Sequence, residues 1–224
     1  MKNLKNALLL KQLYQLKQLG YSYTSANIYK EDTQDFKLPN TLESLAKQAA
    51  QCHLCELSKT RTKVVFGEGN PNAAILFVGE APGVTEDATG KPFVGRAGEL
   101  LTKMIENVLG LSRNEVYITN ILKCRPFNNE IPTPEQAHTC QPYLLKQIEL
   151  IKPKLIVALG ATAYHYLTGD DTDISKARGT IHQQNNYTII PTYHPSYLLR
   201  NPSAKKEVYV DLLKVKELMQ AVTQ

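Results

Sequence analysis

Three polar residues in the sequence each follow an apolar segment: Glu80, Asn120 and His194. A carboxylate can orient water, an amide can pair with the edge of a planar ligand, and an imidazole can donate a hydrogen bond to a developing anion. Taken singly, they are better explained as parts of a tight turn, a capping residue and a loop histidine. An active site is predicted only if the fold brings the three positions together.

A second candidate site consists of four cysteines: Cys52 and Cys55 in a CxxC arrangement, Cys124, and Cys140. Disulfides are not expected, because the N-terminus has no pattern of a secretory leader. Four thiolates can bind zinc or an iron–sulfur cluster. The second pair lacks the spacing of a zinc ribbon, and four buried, unliganded thiols are the alternative. The preferred interpretation is a metal site that braces the loop after Asn120.

The elements that must position these residues alternate between strand and helix from residue 73 onward. Strands are predicted at 73–78, 116–119, 155–159 and 187–190, and helices at 97–109, 134–151, 161–167 and 203–219. This alternation predicts an α/β protein, a three-layer α/β/α sandwich with a central four-stranded parallel sheet. Ligands bind beyond the carboxyl ends of such strands, where Glu80, Asn120 and His194 are expected to meet.

The first part of the chain has a different pattern. Leucines at three- and four-residue steps predict an amphipathic helix that ends at Gly20, and an aperiodic stretch follows it. We therefore expect a helical extension and linker at residues 1–40 and a catalytic domain at 41–224. The extension carries six lysines against three acidic residues, which suits a polyanionic partner.

Composition excludes several classes of protein. With 224 residues, of which 42% are hydrophobic, the chain can form a full core. No apolar run approaches the ~20 residues of a membrane-spanning helix, so we expect a cytoplasmic monomer without a membrane partner. The glycine turn at 79–83 lacks both the dinucleotide-binding and the P-loop spacing, which disfavours an enzyme acting on nucleoside triphosphates.

Four motifs together resemble the family 4 uracil-DNA glycosylases. They are GEAPGVTED from Gly79, GKPFVGRAG from Gly90, TNILKCRP from Thr119 and HPSYLLR from His194. The resemblance covers roughly residues 45 to 215 and keeps the order of the motifs and all four cysteines. It implies a [4Fe-4S] cluster and hydrolysis of the N-glycosidic bond of deoxyuridine in single- or double-stranded DNA. The product would be an abasic site, an intermediate of base excision repair.

The resemblance also implies residue roles in the reaction. His194 would donate a hydrogen bond to uracil O2, Asn120 would pair with N3–H and O4, and Phe93 would stack on the extracted base. Cytosine presents the reversed pattern to Asn120, which would leave buried polar groups unpaired. The bland interpretations are a core aromatic for Phe93 and a cap for Asn120.

The carboxylate that acts on water is left open by the sequence. Glu80 and Ala81 are expected to contact the substrate. Some other branches of the superfamily have an aspartate at the position of Ala81. Glu80, Glu86 and Asp87 are therefore all candidates for orienting water, and Glu80 could also act through its backbone alone. Glu86 and Asp87 are equally consistent with a solvated helix start.

The segment after His194 resembles the wedge that enters the minor groove of DNA, so Ser196, Leu198 and Arg200 are expected to contact DNA. A connection that packs Leu198 inward is as consistent with the sequence. In the same way, the resemblance makes all four cysteines ligands of the cluster. They are Cys52, Cys55, Cys124 and Cys140.

Other functions stay open at this point. One is a superfamily activity with broader specificity for deaminated bases, and another is a non-catalytic, metal-bearing DNA-binding module. The segment 125–140 lacks the basic insertion of the branch that cross-links to abasic DNA. No lysine follows the predicted strands in a position to form a Schiff base, so a monofunctional glycosylase is expected.

Overall fold

The structure is a computed structural model that describes residues 38–184 and 186–223. The predicted N-terminal helix and most of its linker, at residues 1–37, lie outside the described residues. Within the described ranges, no helix combines the length and the apolar character needed to cross a membrane.

One mixed sheet is formed by the strands of the described part of the chain, in the order β1-β3-β2-β4-β6-β5. The strands are β1 (Glu68–Gly69), β2 (Ile75–Gly79), β3 (Tyr117–Asn120), β4 (Leu155–Leu159), β5 (His182–Gln183) and β6 (Thr188–Thr192). The central strands β3, β2, β4 and β6 pair in parallel, which confirms the predicted parallel sheet. The short strands β1 and β5 are antiparallel additions at the two edges, and the sequence did not predict them.

Helices surround this sheet. They are α1 (Leu42–Ala50), α2 (Val84–Thr89), α3 (Arg96–Met104), α4 (Pro134–Ile151), α5 (Ala161–Thr168), α6 (Ile174–Ala177), α7 (Pro195–Arg200) and α8 (Lys205–Thr223). A π-helical turn, Ile105–Leu109, extends α3 to Gly110. Helix α4 begins with a capping box between Thr133 and Gln136, which fixes where the chain re-enters the helical layer.

The core has two layers because successive strand residues point to opposite faces of the sheet. Phe77 and Val157 pack on one face with residues of α3 and α8, whereas Val78 and Ile156 pack on the other with residues of α4 and α5. All residues of β2, β3 and β4 are buried, as expected for strands covered on both sides. The three-layer α/β/α architecture is therefore confirmed.

The parallel register aligns the carboxyl ends of the strands. Gly79 at the end of β2 pairs with Asn120 at the end of β3, and Leu159 of β4 pairs with Thr192 of β6. The turns that leave these four strands consequently open at one edge of the sheet.

Candidate active site and cysteine cluster

A cavity of about 650 Å³ opens at the carboxyl edge of the sheet. It is lined by Glu80, Asn120 and His194, with Gly160 after β4 and Phe93 from the loop before α3. The structure thus brings together the three polar residues that the strand ends predicted to meet.

Asn120 is buried at the end of β3, with only 1% of its surface exposed. Its Oδ1 is buried and has no hydrogen-bond partner among the described residues. Buried acceptors are almost always satisfied, so an orphaned one in a cavity wall indicates that a water molecule or a ligand in the cavity supplies the donor. Asn120 is therefore poised to accept a hydrogen bond from a molecule in the cavity.

Glycine at position 79 lets two site residues approach each other. A Cβ added to Gly79 would lie 2.5 Å from Phe93 Cζ and would also overlap Asn120 Oδ1. Phe93 itself has a positive φ of 50°, an uncommon conformation for a large side chain, and it is buried beside the cavity. Gly79, Phe93 and Asn120 are therefore closely packed against one another beside the cavity.

Replacing Gly79 with alanine is expected to lower activity about 10²-fold, because the added methyl group must displace Phe93 or Asn120 and misplaced groups lose catalytic geometry. A Gly110→Ala variant is the control, since its Cβ would meet nothing within 4 Å although φ is positive there. Single-turnover rates and thermal unfolding of both variants check this. A Gly79→Ala variant with wild-type rates would show that the close packing of Phe93 and Asn120 against Gly79 does not matter for activity.

His194 has a defined tautomer. Its Nδ1 accepts a hydrogen bond from the backbone N–H of Ser196 at 3.1 Å and lies 2.8 Å from Ser196 Oγ. Because a backbone N–H can only donate, the proton of the neutral ring lies on Nε2. Burial, and to a smaller extent the charge of Arg200, lower the pKa of His194 to about 4. At neutral pH the ring is thus an uncharged N–H donor in the cavity wall.

The His194 pKa leads to a measurable pH dependence. In NMR spectra of histidine-labelled protein, this ring is expected to titrate near pH 4 and not near 6.5. Between these values the unfolded chain binds a proton that the fold does not. The free energy of unfolding should therefore decrease as the pH is lowered from 6.5 towards 4, less steeply in a His194→Gln variant. Titration of His194 near its ordinary value would contradict the buried, neutral ring.

The three candidate carboxylates have different partners. Glu86 Oε1 accepts hydrogen bonds from the backbone N–H groups of Val94 and Gly95, at 2.9 and 2.8 Å. It lines the cavity and also holds the loop that carries Phe93 at the start of α3.

Asp87 is buried, and both of its carboxylate oxygens accept from the backbone N–H of Thr62, at 2.9 and 3.1 Å. It is not among the cavity-lining residues, so it does not fit the water-orienting role that the sequence left open. Glu80 lines the cavity and accepts a hydrogen bond from the Thr162 hydroxyl through Oε2.

Thr162 is a site residue that sequence reasoning missed. It lies in the first turn of α5, two residues after Gly160, the glycine that follows β4. The rule that selected Glu80 and His194, a polar side chain just past a strand end, could have selected it. Ala81, in contrast, lies where the sequence predicted, in the cavity wall.

The segment after His194 forms helix α7 and requires one correction. Leu198, predicted to contact DNA, is only 1% exposed and belongs to the apolar core. The exposed apolar side chains of this helix are its neighbours, Tyr197 and Leu199. Ser196 bonds to His194, and Arg200 is exposed at the cavity wall.

The four cysteines, all free thiols, lie on three separate elements. Cys52 and Cys55 follow α1, Cys124 follows β3, and Cys140 is in the second turn of α4. Cys55 and Cys140 pack against the small buried cluster that contains Cys124. Burial, with a smaller effect of negative charge on Cys124 and Cys52, raises the pKa of Cys140 to about 11 against the opposing effect of Lys123. These sulfurs therefore lie within electrostatic range of one another.

Hydrogen-bond donors already face two of the sulfurs. The Arg61 guanidinium and the backbone N–H of Lys123 donate to Cys124 Sγ and Cys140 Sγ, each at 3.4 Å. Across residues 38–184 and 186–223, no three His, Cys, Asp or Glu side chains are arranged to hold one metal ion. A set of four thiols with donors to sulfur nevertheless fits an iron–sulfur cluster, in which cysteines are the usual ligands and such hydrogen bonds are common.

Comparisons with known proteins agree with this geometry. Residues 66–214 match the family model of the Uracil DNA glycosylase superfamily. The type-4 uracil-DNA glycosylase of Thermotoga maritima is 48% identical over 182 residues, which cover 80% of this chain and 94% of that protein. Those of Saccharolobus solfataricus and Sulfurisphaera tokodaii are 45% and 44% identical over 80% of this chain. The aligned regions cover 87% and 85% of those two proteins. The chain therefore belongs to the uracil-DNA glycosylase superfamily, in its type-4 family.

Proposed function

We propose that this protein is a monofunctional DNA glycosylase that hydrolyses the N-glycosidic bond of deoxyuridine in DNA, releases uracil and leaves an abasic site for base excision repair. The observation that carries this proposal is the orphaned Oδ1 of Asn120, buried in the same cavity wall as the neutral N–H donor of His194. The type-4 relatives support the same activity.

Recognition of uracil would start with Asn120. The base must leave the duplex stack to reach the cavity, where Phe93 offers an aromatic face. Asn120 Oδ1 can accept from uracil N3–H while its amide donates to O4. Cytosine reverses both partners, which would leave buried polar groups unpaired at a cost of about 1 to 3 kcal/mol each. The proposed site thus selects uracil through one fixed amide.

His194 would stabilise the departing base. Cleavage of the glycosidic bond places negative charge on uracil, and a positioned donor at O2 lowers the energy of that state. The Ser196 contacts orient the ring before the substrate arrives, so little reorganisation is needed during the reaction. A neutral donor suffices for this role.

Glu80 is the carboxylate that we assign to the water and to the positive charge developing on the sugar. Glu86 is held by two backbone N–H groups and Asp87 lies outside the cavity wall. Within the described residues, the Thr162 hydroxyl is the hydrogen-bond partner of the Glu80 carboxylate and occupies Oε2. The other oxygen can therefore accept from a water molecule.

DNA contacts would come from α7 at the mouth of the cavity. Tyr197 and Leu199 are exposed apolar side chains that can fill the space left by the extracted base, and Arg200 can approach a phosphate. All residues of the proposed site lie between Cys52 and Arg200. This distribution supports a catalytic domain at 41–224 with residues 1–40 as an extension.

For the cysteines we propose a [4Fe-4S] cluster bound by Cys52, Cys55, Cys124 and Cys140. In such a cluster each thiolate binds a different iron, so the sulfurs need not point at one centre as they do around zinc. The bound cluster would supply a covalent brace between the end of α1, the loop after Asn120 and α4. Ala81, which packs against the buried cluster that contains Cys124 and lines the cavity, would link this brace to the site.

The proposed activity is tested with an oligonucleotide that contains one uracil. Incubation followed by alkali should cleave the strand at that position, because abasic sites are alkali-labile, and free uracil should appear. Matched oligonucleotides with thymine or cytosine should stay intact, whereas excision of other deaminated bases at similar rates would favour the broader activity. Binding without any base release would favour the non-catalytic DNA-binding function.

The cluster leads to a separate prediction. The purified holoprotein is expected to be brown and to contain about four iron atoms and four sulfides per chain. A Cys140→Ser variant should lose the colour, and hydrogen exchange should increase in the loop after β3 before it increases in β2 or β4. A colourless wild-type protein that contains one zinc would contradict the proposed cluster.

A further inference from the structure

The loop between two of the cysteines carries exposed apolar side chains that the proposed mechanism does not use. Phe127 is 63% exposed and Ile131 is 77% exposed, the highest values among the large apolar side chains of the described residues. A soluble protein usually places such side chains on the surface together only where they bind something. The loop Pro126–Ile131 is therefore a candidate interaction surface.

This loop has a defined conformation that keeps the apolar side chains outside the core. Asn128 and Asn129 have positive φ values of 50° and 55°, a conformation that asparagine tolerates better than most residues. Arg125 Nε donates to Asn129 Oδ1 at 2.8 Å and fixes the bend. Phe127 is thus held out by the local backbone.

The position of the loop identifies its partner. Pro126, Asn129, Glu130 and Ile131 line the same cavity that holds the candidate catalytic residues. Any DNA strand that delivers a base into this cavity must pass its mouth. Ile131 lies there, on a different element from α7, and Phe127 belongs to the same loop. The surface is continuous with the proposed active site.

The chemistry of the loop suits a nucleobase better than a phosphate. Glu130 is exposed on it, and a carboxylate repels the DNA backbone. The Nε–H of the Arg125 guanidinium is engaged by Asn129. An aromatic ring and an aliphatic side chain remain, and protein aromatic rings commonly stack on unpaired bases in single-stranded DNA.

We propose that Phe127 and Ile131 bind the unpaired nucleobase next to the extracted uridine, with the Phe127 ring stacked on the base. The proposal rests on the proposed function, because the strand reaches this loop only if its uridine enters the cavity. This contact would allow the protein to bind a single-stranded substrate without a complementary strand.

Binding is measured with the intact holoprotein and a single-stranded oligonucleotide that contains 2′-deoxypseudouridine, whose C–C glycosidic bond is not hydrolysed. Phe127→Ala is expected to raise Kd about 5- to 100-fold, the range found when stacking side chains are removed. Phe127→Tyr should retain affinity, whereas Phe127→Leu should not. Ile131→Ala should also weaken binding. Its matched control is Ile181→Ala, which should not, because Ile181 is 56% exposed and lies outside the cavity wall.

The neighbouring base is identified by replacing each flanking nucleotide in turn with an abasic analogue. At one position the replacement should weaken binding by the wild type but not by Phe127→Ala, since the ring and the base act as one pair. Wild-type affinity in Phe127→Ala, or losses that are independent of every flanking base, would overturn the proposal. The second result would point to another partner, such as a protein.

Uracil release by the wild type, measured in parallel, separates this proposal from the proposed function. If the wild type releases uracil and Phe127→Ala binds the oligonucleotide as tightly as the wild type does, only the proposed role of the loop is contradicted. If the abasic replacement weakens binding by the wild type but not by Phe127→Ala, and the wild type releases no uracil, the proposed activity fails. The base-binding role of the loop then stands.

Discussion

A His194→Ala variant is expected to excise uracil about 10² to 10³ times more slowly than the wild type under single-turnover conditions, the usual effect of removing one preorganised donor to a developing anion. The Nε2 proton is already in place before the substrate binds, because Ser196 fixes Nδ1 as the acceptor. The variant therefore loses an interaction that strengthens in the transition state. Substrate binding should change much less than the rate constant.

The control for this variant is His165→Ala. His165 lies on α5, is paired with Asp171 and is not part of the cavity wall. The His165→Ala variant should excise uracil at the same rate as the wild type. Equal rates for wild type and His194→Ala would remove His194 from the chemistry and leave it as a helix-capping residue.

An Asn120→Asp variant is expected to lose about 10²- to 10⁴-fold in kcat/KM on uracil, because a site built to pair with a base leaves buried groups unpaired when one partner is changed. The substitution keeps the shape of the side chain but replaces the amide donor with an acceptor that faces uracil O4. Cytosine has an amino group at that position, so the ratio of uracil to cytosine excision should decrease.

Asn107→Asp serves as the control for charge, since Asn107 lies outside the active-site cavity, in the groove beside α3. Rates on uracil and cytosine oligonucleotides, with thermal unfolding of each variant, provide the comparison. An Asn120→Asp variant that keeps wild-type uracil activity would show that another group reads the base.

The sequence was most informative about the central strands and the residues at their ends. Continuous apolar runs that end in glycine or in a polar residue identify β2 and β4, because strands covered on both faces have no polar positions. The same rule located Glu80, Asn120 and His194 at one edge. It could not reveal β1 and β5, which are two residues long and exist only through pairing with the edges of the sheet.

The roles of the carboxylates depended on contacts that are distant along the chain. Nothing in the sequence around Glu86 indicates that it binds the backbone at Val94 and Gly95, or that Asp87 binds Thr62. Likewise, Leu198 and Leu199 are adjacent leucines, and only the packing of α7 decides that Leu198 enters the core while Leu199 stays exposed. Local patterns identified candidates, and tertiary contacts separated their roles.

We expect uracil to leave as an anion that the neutral His194 ring stabilises. This expectation is tested most directly by comparing single-turnover excision of uracil and of 5-fluorouracil, a better leaving group, by the wild type and by His194→Ala. If His194 donates to the developing charge, the variant should lose less activity on 5-fluorouracil, because that base needs less help to depart. An equal loss on both bases would contradict this expectation.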